Sequence, residues 1–501
     1  MKRFVLLLLI VAFAKTINAQ QWVIEYPTED YEEVSFIHGD KSLTYDYAVG
    51  RYENNQTNES YPIALCVDEN GNYIDKIFYM ESKKSVFSSV LGLDDGNVFV
   101  TAPYVENNDS DLYNKLWVAI LNPNLEIVEE NYIELEEPYL SFSTSTMHAL
   151  FNDDKEIVVA TLVADSIPEH TSIIYDYSFY KFDIHCNLLK QSYLENLSRQ
   201  CKIDDFTLIP DKDIYAVFGY GMEVSGMANV IYIDNDLNYK SMSFLDEQQV
   251  YPDLMLPYRM SVGHWYDENH FLMSAQTVQT EGLNNWKPFV VKMDTEMNVV
   301  KTLDLERADT TDYVAEYESM AYVSSDVIYV STFWNRGSFL DFLPNTMTVF
   351  LVNENLDLLG RKTMSFNDYY FYVLHVHPSY DGSCIVQGVV LGEDNNRSVI
   401  YKFRKEDMEI ITDVTESYDD LKINCSPNPV SSCLNISVES VVNKDARILL
   451  FDMMGRRYLE KDIVLDGNVL SLDVSSLPEG TYFYNIIVDG KNEIKEKFVK
   501  K

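Results

Sequence analysis

One pattern of hydrophobic and polar positions recurs along the chain between about residues 30 and 415. Each unit has a strand rich in β-branched and aromatic residues, then a polar loop, then a second strand that ends in an Asp- or Asn-rich turn before a third. Short strands separated by such turns predict an all-β fold. The first strand of the seven units covers Leu43–Tyr52, Asn97–Val105, Glu156–Val163, Ile214–Met222, His270–Val278, Val327–Trp334 and Cys384–Leu391.

The second strand and its turn give each unit a reference point. A residue in this turn recurs every 51 to 61 residues, at Asp68, Asn122, Asp183, Asp234, Asp294, Asn353 and Arg404. A further short segment precedes each unit, which makes about four strands per repeat. Repeats of this length with four strands are typical of propeller blades.

The pattern predicts a seven-bladed β-propeller over residues 20–415. A four-stranded sheet alone leaves an apolar face uncovered, whereas sheets packed radially cover one another. Trp22–Tyr26 is a candidate for the edge strand that closes the ring. The alternative is a pair of β-sandwiches whose strands have a similar spacing.

Residues 1–19 have the order of a cleaved signal peptide. Lys2 and Arg3 precede the apolar run Phe4–Ala14, and Ala19 offers a small residue for cleavage. The run is shorter than the roughly 20 residues that cross a bilayer. No later stretch is apolar for long enough, so we expect no transmembrane segment in the mature chain.

The net charge limits the classes of partner that the chain can bind, and the number of cysteines limits its possible disulfide bonds. The formal net charge is −40, and removal of the three basic residues of the signal peptide makes it −43. Such a surface repels nucleic acid and anionic lipid, which require a basic face. Six cysteines in 501 residues are too few for a disulfide framework. Cys186–Cys201 and Cys425–Cys433 are the candidate pairs, and buried free thiols are an equal alternative.

The last eighty residues carry three ordered blocks after an acidic linker at residues 416–422. They are Ser426–Pro429 with the strand after it, Ala446–Arg456, and Leu472–Tyr482, and a basic terminal strand follows. Residues 423–501 thereby resemble the C-terminal sorting domain of the type IX secretion system (Por secretion system, type A) of Bacteroidetes-type bacteria. The positions that carry the resemblance are Pro427, Asn428, Pro429, Gly455, Pro478, Gly480, Tyr482, Lys495, Lys497 and Lys500.

The resemblance implies export in two steps. The signal peptide would direct the chain to the periplasm, and the type IX machinery would recognise the C-terminal module and deliver the protein to the outer cell surface or the medium. Alternating strands and turns in this module predict a small immunoglobulin-like antiparallel β-sandwich. Glu479 departs from the family pattern, which has a small residue there more often.

Chemistry is sparse in the sequence. His375 and His377 alternate on a strand and would face the same way, as two ligands of one metal do, but no third ligand accompanies them. Acidic turns such as those at Asp68 and Asp234 resemble calcium-binding loops in composition. None of them has the complete ligand pattern of a calcium loop, so the sequence favours Asx turns. We therefore predict no cofactor.

The remaining candidates are aromatic residues that would stack against a ligand. They are Trp265, Trp286, Trp334, Tyr369, Tyr370 and Tyr372. With no catalytic motif in the sequence, we expect a non-catalytic protein that binds an extracellular glycan, peptide or surface partner. The alternatives are a polysaccharide- or peptide-degrading enzyme with carboxylates in the central channel, and a structural component of the surface layer.

Overall fold

The computed structural model describes most of the chain in two compact units, which divide between Ile411 and Thr412. The described residues are 23–28, 32–105, 112–144, 147–164, 176–194, 200–221, 228–244, 254–279, 286–305, 312–334, 346–365, 370–391, 396–410, 423–438, 444–452, 457–465, 470–488 and 492–501. The predicted signal peptide lies outside them. None of the helices in these ranges is long and apolar enough to cross a membrane.

The first unit is built from antiparallel sheets, numbered here sheet 1 to sheet 7. Strand β1 (Val23–Glu25) precedes sheet 1 in the chain. Sheet 1 contains β2 (Glu32–Ser42), β3 (Tyr45–Asn54), β4 (Glu59–Val67) and β5 (Tyr73–Ile77), and sheet 2 contains β6 (Ser89–Gly92), β7 (Val98–Tyr104), β8 (Lys115–Leu121) and β9 (Ile127–Glu134). Sheet 3 contains β10 (Ser141–Phe142), β11 (His148–Phe151), β12 (Ile157–Ala164), β13 (Asp176–Phe182) and β14 (Leu188–Leu194). Sheet 4 contains β15 (Gln200–Ile209), β16 (Ile214–Gly221), β17 (Ala228–Asp234) and β18 (Tyr239–Phe244).

The other three sheets continue the same order. Sheet 5 contains β19 (Leu254–Trp265), β20 (His270–Gln279), β21 (Trp286–Asp294) and β22 (Val299–Asp304). Sheet 6 contains β23 (Asp312–Val314), β24 (Met320–Ser324), β25 (Val327–Trp334), β26 (Thr346–Val352), β27 (Leu358–Ser365) and β31 (Glu409–Ile410). Sheet 7 contains β28 (Tyr370–Pro378), β29 (Cys384–Leu391), β30 (Asn396–Phe403) and β1. Among the described residues of this unit, one 3-10 turn covers Lys405–Asp407.

The inner strands of the sheets contact one another in a closed cycle. These strands are β2, β6, β11, β15, β19, β24 and β28, each touching the next, and β28 touches β2. Strand β1 pairs with β30, with Ile24 opposite Ile400. The prediction that the N-terminal segment supplies the closing edge strand is confirmed, as is the all-β propeller.

Radial packing explains why middle strands such as β12 and β26 are buried along their whole length. Every residue of β12 and of β26 is buried, because both faces of a middle strand lie against neighbouring sheets. Outer strands show the opposite pattern, and most of β9 is exposed. The cores are therefore formed between sheets: Ile24 of β1 packs with Val34 and Phe36 of sheet 1 and with Ile385 and Ile400 of sheet 7.

The repeated Asp or Asn positions form Asx turns between the third and fourth strands of the sheets. In the turn after β13, Asp183 Oδ1 accepts the backbone N–H groups of His185 and Asn187, and the Asn187 side chain donates to Asp183 Oδ2. Cys186 has a φ of 60° in this turn. The Asx turns that the sequence favours are present, and their carboxylate and amide oxygens accept hydrogen bonds from the backbone. The same turn recurs at Asp68, Asn122, Asp234, Asp294 and Asn353.

Sheets 7 and 1 meet at a buried ionic network, the closure network. Lys402 Nζ lies 2.8 Å from an Asp381 carboxylate oxygen and 3.8 Å from an Asp46 oxygen. Ser379 Oγ donates to Asp46 at 2.7 Å, and the Lys402 ammonium lies 4.9 Å from the centre of the Tyr380 ring. Burial raises the pKa of Asp46 to about 6, although Lys402 opposes the shift.

The second unit has two antiparallel sheets with one shared core. The strands are β32 (Ile423–Ser426), β33 (Cys433–Val438) and β36 (Leu470–Asp473), and β34 (Lys444–Asp452), β35 (Arg457–Leu465), β37 (Gly480–Val488) and β38 (Asn492–Lys500). Leu434 and Ile436 from one sheet and Ile448, Tyr484 and Phe498 from the other are buried together. Cys186 and Cys433 are free thiols, so neither candidate disulfide is formed.

The three sequence blocks of the second unit meet in space. Asn428 Oδ1 accepts the backbone N–H of Val499 on the terminal strand at 2.9 Å. Tyr482 donates its hydroxyl to Pro478 O at 3.0 Å, and its ring stacks on Phe498. Of the other predicted sorting positions, Lys497 is exposed, Lys500 is buried, and Gly455 and the Lys495 side chain lie outside the described residues.

Candidate functional site

Three of the six aromatic residues predicted to bind a ligand have described side chains. Trp265 is only 6% exposed, packs against Phe271, and donates its indole N–H to Thr207 Oγ1 at 2.9 Å. It is therefore a core residue of the region between sheets 4 and 5. This side chain has no face available to a ligand.

Two of the remaining predicted aromatics have described side chains. Tyr370 is exposed at the start of β28, whereas Tyr372 is half-buried against Phe333. Tyr369 and the side chains of Trp286 and Trp334 lie outside the described part of the chain. The ligand-binding role of these residues stays a prediction.

A cleft of 650 Å³ lies instead on the flank of the ring, between the outer strands of sheets 1 and 2. Strand β5 and the segment after it form one wall, and β9 forms the other. Clefts of about 300–1,000 Å³ are typical of small-molecule sites. The flank cleft is lined by Lys76, Ile77, Phe78, Tyr79, Met80, Glu81, Ser82, Tyr104, Trp117, Ile127, Glu130 and Tyr132.

Two tyrosines present aromatic rings at the walls of the flank cleft. Tyr79 is 70% exposed and is held edge-on against Tyr61, with ring centres 5.0 Å apart. Tyr132 is 50% exposed and is held edge-on against Tyr104, at 6.1 Å. Because each ring is supported by a second aromatic ring, its orientation is restricted before any ligand binds.

Polar groups of the flank cleft converge on one carboxylate. Trp117 is buried, and its indole N–H donates to Glu130 Oε2 at 2.9 Å. The hydroxyl of Tyr132 donates to the same oxygen at 3.2 Å. Partial burial and the nearby charge of Glu130 raise the pKa of Tyr132 to about 12, so its hydroxyl keeps the proton at neutral pH.

The opposite wall is fixed by a lysine. Lys76 Nζ donates to Leu125 O of sheet 2 at 2.9 Å and lies 4.9 Å from the centre of the Phe78 ring. This contact joins sheet 1 to sheet 2 beside the cleft. The described lining holds aromatic faces, hydroxyls and carboxylates, which are the groups that recognise a polyhydroxylated ligand by stacking and hydrogen bonding.

Sequence reasoning missed the flank cleft although a signal was present. Tyr132 precedes the buried Ile133 on an outer strand that also carries three glutamates, and Tyr79 lies in the segment that connects two sheets. Exposed apolar residues that lie together in one patch mark a binding surface, whereas single ones do not. Their proximity depends on which sheets are neighbours, and single strands do not reveal it.

The two histidines singled out in the sequence are placed together in the ring. His375 and His377 lie on the same face of β28, with ring centres 5.5 Å apart, and both are buried. His375 contacts Glu318, with Nε2 2.8 Å from Oε2. No three His, Cys, Asp or Glu side chains within the described ranges are arranged to hold a metal ion.

Comparison with known proteins identifies the C-terminal region. Residues 424–501 match the family model of the secretion system C-terminal sorting domain. No curated protein matches the sequence.

Solved structures similar to the chain include several β-propellers. The Pyrococcus horikoshii acylaminoacyl peptidase is 10% identical, with a TM-score of 0.41, over 84% of this chain and 60% of that one. The β-propeller domain of the Trilobed protease from Pyrococcus furiosus is 11% identical, with a TM-score of 0.41, over 77% and 98%. Trypanosoma rangeli sialidase is 9% identical, with a TM-score of 0.37, over 95% and 86%. Similarity at this level carries no information about the activity of this chain.

Proposed function

Because residues 424–501 belong to the family of secretion system C-terminal sorting domains, we propose that the type IX machinery exports this chain to the outer surface or the medium. In this proposal residues 1–19 are a signal peptide, residues 20–415 are a seven-bladed propeller, and residues 416–422 link it to an immunoglobulin-like sorting domain at 423–501. In a Bacteroidetes-type host, a variant that lacks residues 424–501 is expected to stay in the periplasm. Its appearance in the medium at the full-length level would contradict the proposal.

The propeller then serves as a non-catalytic binding protein for an extracellular glycan. The observation that carries this proposal is the pair of exposed, supported rings of Tyr79 and Tyr132 on the two walls of a cleft that is also lined by the Glu130 carboxylate. Sugar rings present apolar C–H faces and hydroxyl edges, and such a cleft offers a partner to each.

The net charge of the chain and the charged residues of the flank cleft favour one class of glycan. The chain carries a net charge of −40, and the described cleft lining contains two carboxylates, of Glu81 and Glu130, against one lysine that is already bonded to a carbonyl. Sulfated or uronate-rich chains are repelled by this balance. A neutral glycan is therefore the expected ligand.

The experiment is a binding screen of the full-length protein against neutral and anionic polysaccharides. Tyr79→Ala and Tyr132→Ala are each expected to weaken binding of the neutral ligand by about tenfold or more, because each removes a stacking face. Tyr239→Ala is the matched control, since Tyr239 is an exposed tyrosine on the outer strand β18 of another sheet.

Three outcomes would contradict the glycan proposal. Equal binding by all three variants would exclude the flank cleft. Selective binding of peptides in a parallel screen would change the ligand class. Concentration-dependent self-association through the same surface would instead favour a structural role in the surface layer.

A further inference from the structure

Polar side chains from five sheets converge on the axis of the ring. They come from the inner strands of sheets 1, 3, 4 and 7 and from the segment that precedes β24 in sheet 6, and they define the channel cluster. Its members are His38, Asp40, His148, Lys202, Asp204, Tyr317, Glu318 and His375. Three of the eight histidines of the chain therefore lie at one place.

The backbone fixes the acid–imidazole pair of the channel cluster. The segment 316–318 runs parallel to β28: Tyr317 N–H donates to Leu374 O and Val376 N–H donates to Glu318 O, each at 2.8 Å. This pairing places Glu318 Oε2 2.8 Å from His375 Nε2. The Glu318 side chain remains 37% exposed, so the channel reaches it.

The imidazoles surround the axis and leave hydrogen-bonding atoms unused. The His38 ring lies 5.2 Å from Tyr317, 5.8 Å from His375 and 6.4 Å from His148, between ring centres. His38 and His375 are more than nine-tenths buried, and His38 Nε2 and His375 Nδ1 have no hydrogen-bond partner among the described residues. A buried polar atom left without a partner is costly, so these atoms point to an occupant.

The charge state of the cluster is close to neutral. Burial lowers the pKa of His148 to about 4 and of His375 to about 3, and it lowers the pKa of His38 well below its ordinary value. Burial, together with the charge of Asp40, raises the pKa of Glu318 to about 8. At neutral pH the histidines therefore present uncharged nitrogens and Glu318 presents a carboxylic acid that donates to His375.

Lys202 and Asp40 of the cluster already have partners, and Asp204 is held by an ion pair with Lys202 although neither of its oxygens has a hydrogen-bond partner among the described residues. Lys202 Nζ lies 3.2 Å from an Asp204 oxygen and donates to Glu316 O at 3.1 Å. Asp40 Oδ2 accepts the backbone N–H of Gly92 at 2.7 Å, and its Oδ1 accepts that of Lys41 at 2.8 Å. An anionic ligand therefore meets no uncommitted cation here.

We propose that the channel cluster is a second ligand site, which binds one residue of a neutral sugar. Hydroxyl groups of the sugar donate to the unpartnered His38 nitrogen and accept from the unpartnered Nδ1–H of His375, and no charge has to be desolvated. The site is separate from the flank cleft, so its test is independent of the glycan proposal made for that cleft.

The test is calorimetric titration of the full-length protein with the common neutral monosaccharides, each at up to 50 mM, and with glucuronic acid and glucosamine as charged counterparts. At least one neutral sugar is expected to bind, and His38→Phe and Glu318→Met are each expected to weaken it by about tenfold. His264→Phe is the matched control. His264 also faces a glutamate, Glu354, at 3.6 Å, but it stacks on Tyr322 outside the channel cluster.

Folding of each variant is checked by circular dichroism, and His38→Gln, which retains polar atoms, provides a milder second variant. Absence of binding by every neutral sugar would overturn the proposal. Preferential binding of the charged sugars would overturn it as well. So would a loss of affinity in His264→Phe equal to that in His38→Phe.

Discussion

Replacing Lys402 with methionine tests how the closure network stabilises the ring. The change removes the cation beside Asp46 and Asp381, whose side chains are only 2% and 14% exposed. Methionine fills a similar volume, so the loss is chiefly electrostatic. Removing one partner of a buried ion pair costs about 3–5 kcal/mol, because a charge is left without compensation.

The loss of stability caused by Lys402→Met is expected to increase as the pH rises. Burial already raises the pKa of Asp46 to about 6 in the native protein, above its value of about 3.9 in an unfolded chain. Without Lys402 that pKa rises further, so the folded variant binds a proton more tightly than the unfolded one. Its stability relative to the parent protein therefore falls as the pH rises above about 6, the pKa of Asp46 in the parent protein.

Urea unfolding followed by tryptophan fluorescence at pH 5, 7 and 8 measures both effects. The double variant Lys402→Met with Asp46→Asn is expected to recover part of the loss at pH 8, since the unpaired carboxylate is gone. A loss below about 1 kcal/mol, the range of exposed pairs, or a loss that is the same at all three pH values, would refute the reasoning.

Three further changes test other parts of the structure. The pKa of Glu318 is raised to about 8 in the folded protein, so this residue makes stability fall as pH rises from about 4.5 to 8, and Glu318→Gln should flatten that part of the pH profile of the urea midpoint. Asp183→Ala removes three hydrogen bonds of an exposed Asx turn and should cost about 1 kcal/mol in the same assay. Gly39→Ala places a Cβ 2.1 Å from Gln387 Nε2 and 2.3 Å from His377 Cε1, and a loss of about 1–3 kcal/mol in thermal unfolding is expected.

Much of the fold follows from local sequence. The Asx turn at Asp234, with Leu237 at a positive φ and Asn238 bonded back to Asp234, is a short-range structure, so its recurrence reveals the repeat. The closing strand was a candidate in the sequence because the ring needs one further edge strand, and Val23–Glu25 supplies it by pairing with β30. Arg404, the weakest repeat position, begins a 3-10 turn with Asp407 in place of the Asx turn.

The candidate sites depend on neighbours that lie far apart in sequence. Lys202 and Glu316 are in contact although 114 residues separate them, and His38 meets His375 only because the ring closes. Trp265 shows the converse: its sequence setting looks like that of a loop aromatic, and its partners across two sheets make it core. Hydrophobic periodicity tells which face of a strand is buried, but not which strands share a channel.

The most direct measurement of the central claim, that a neutral glycan binds in the flank cleft, is amide hydrogen exchange of the full-length protein with and without the bound ligand. With the ligand bound, slower exchange is expected in residues 76–82 and 127–134, which form the two walls that carry Tyr79 and Tyr132. The Tyr132→Ala variant should lose this protection at the same ligand concentration. Protection confined to other sheets or to residues 424–501, with both walls unchanged, would contradict the claim.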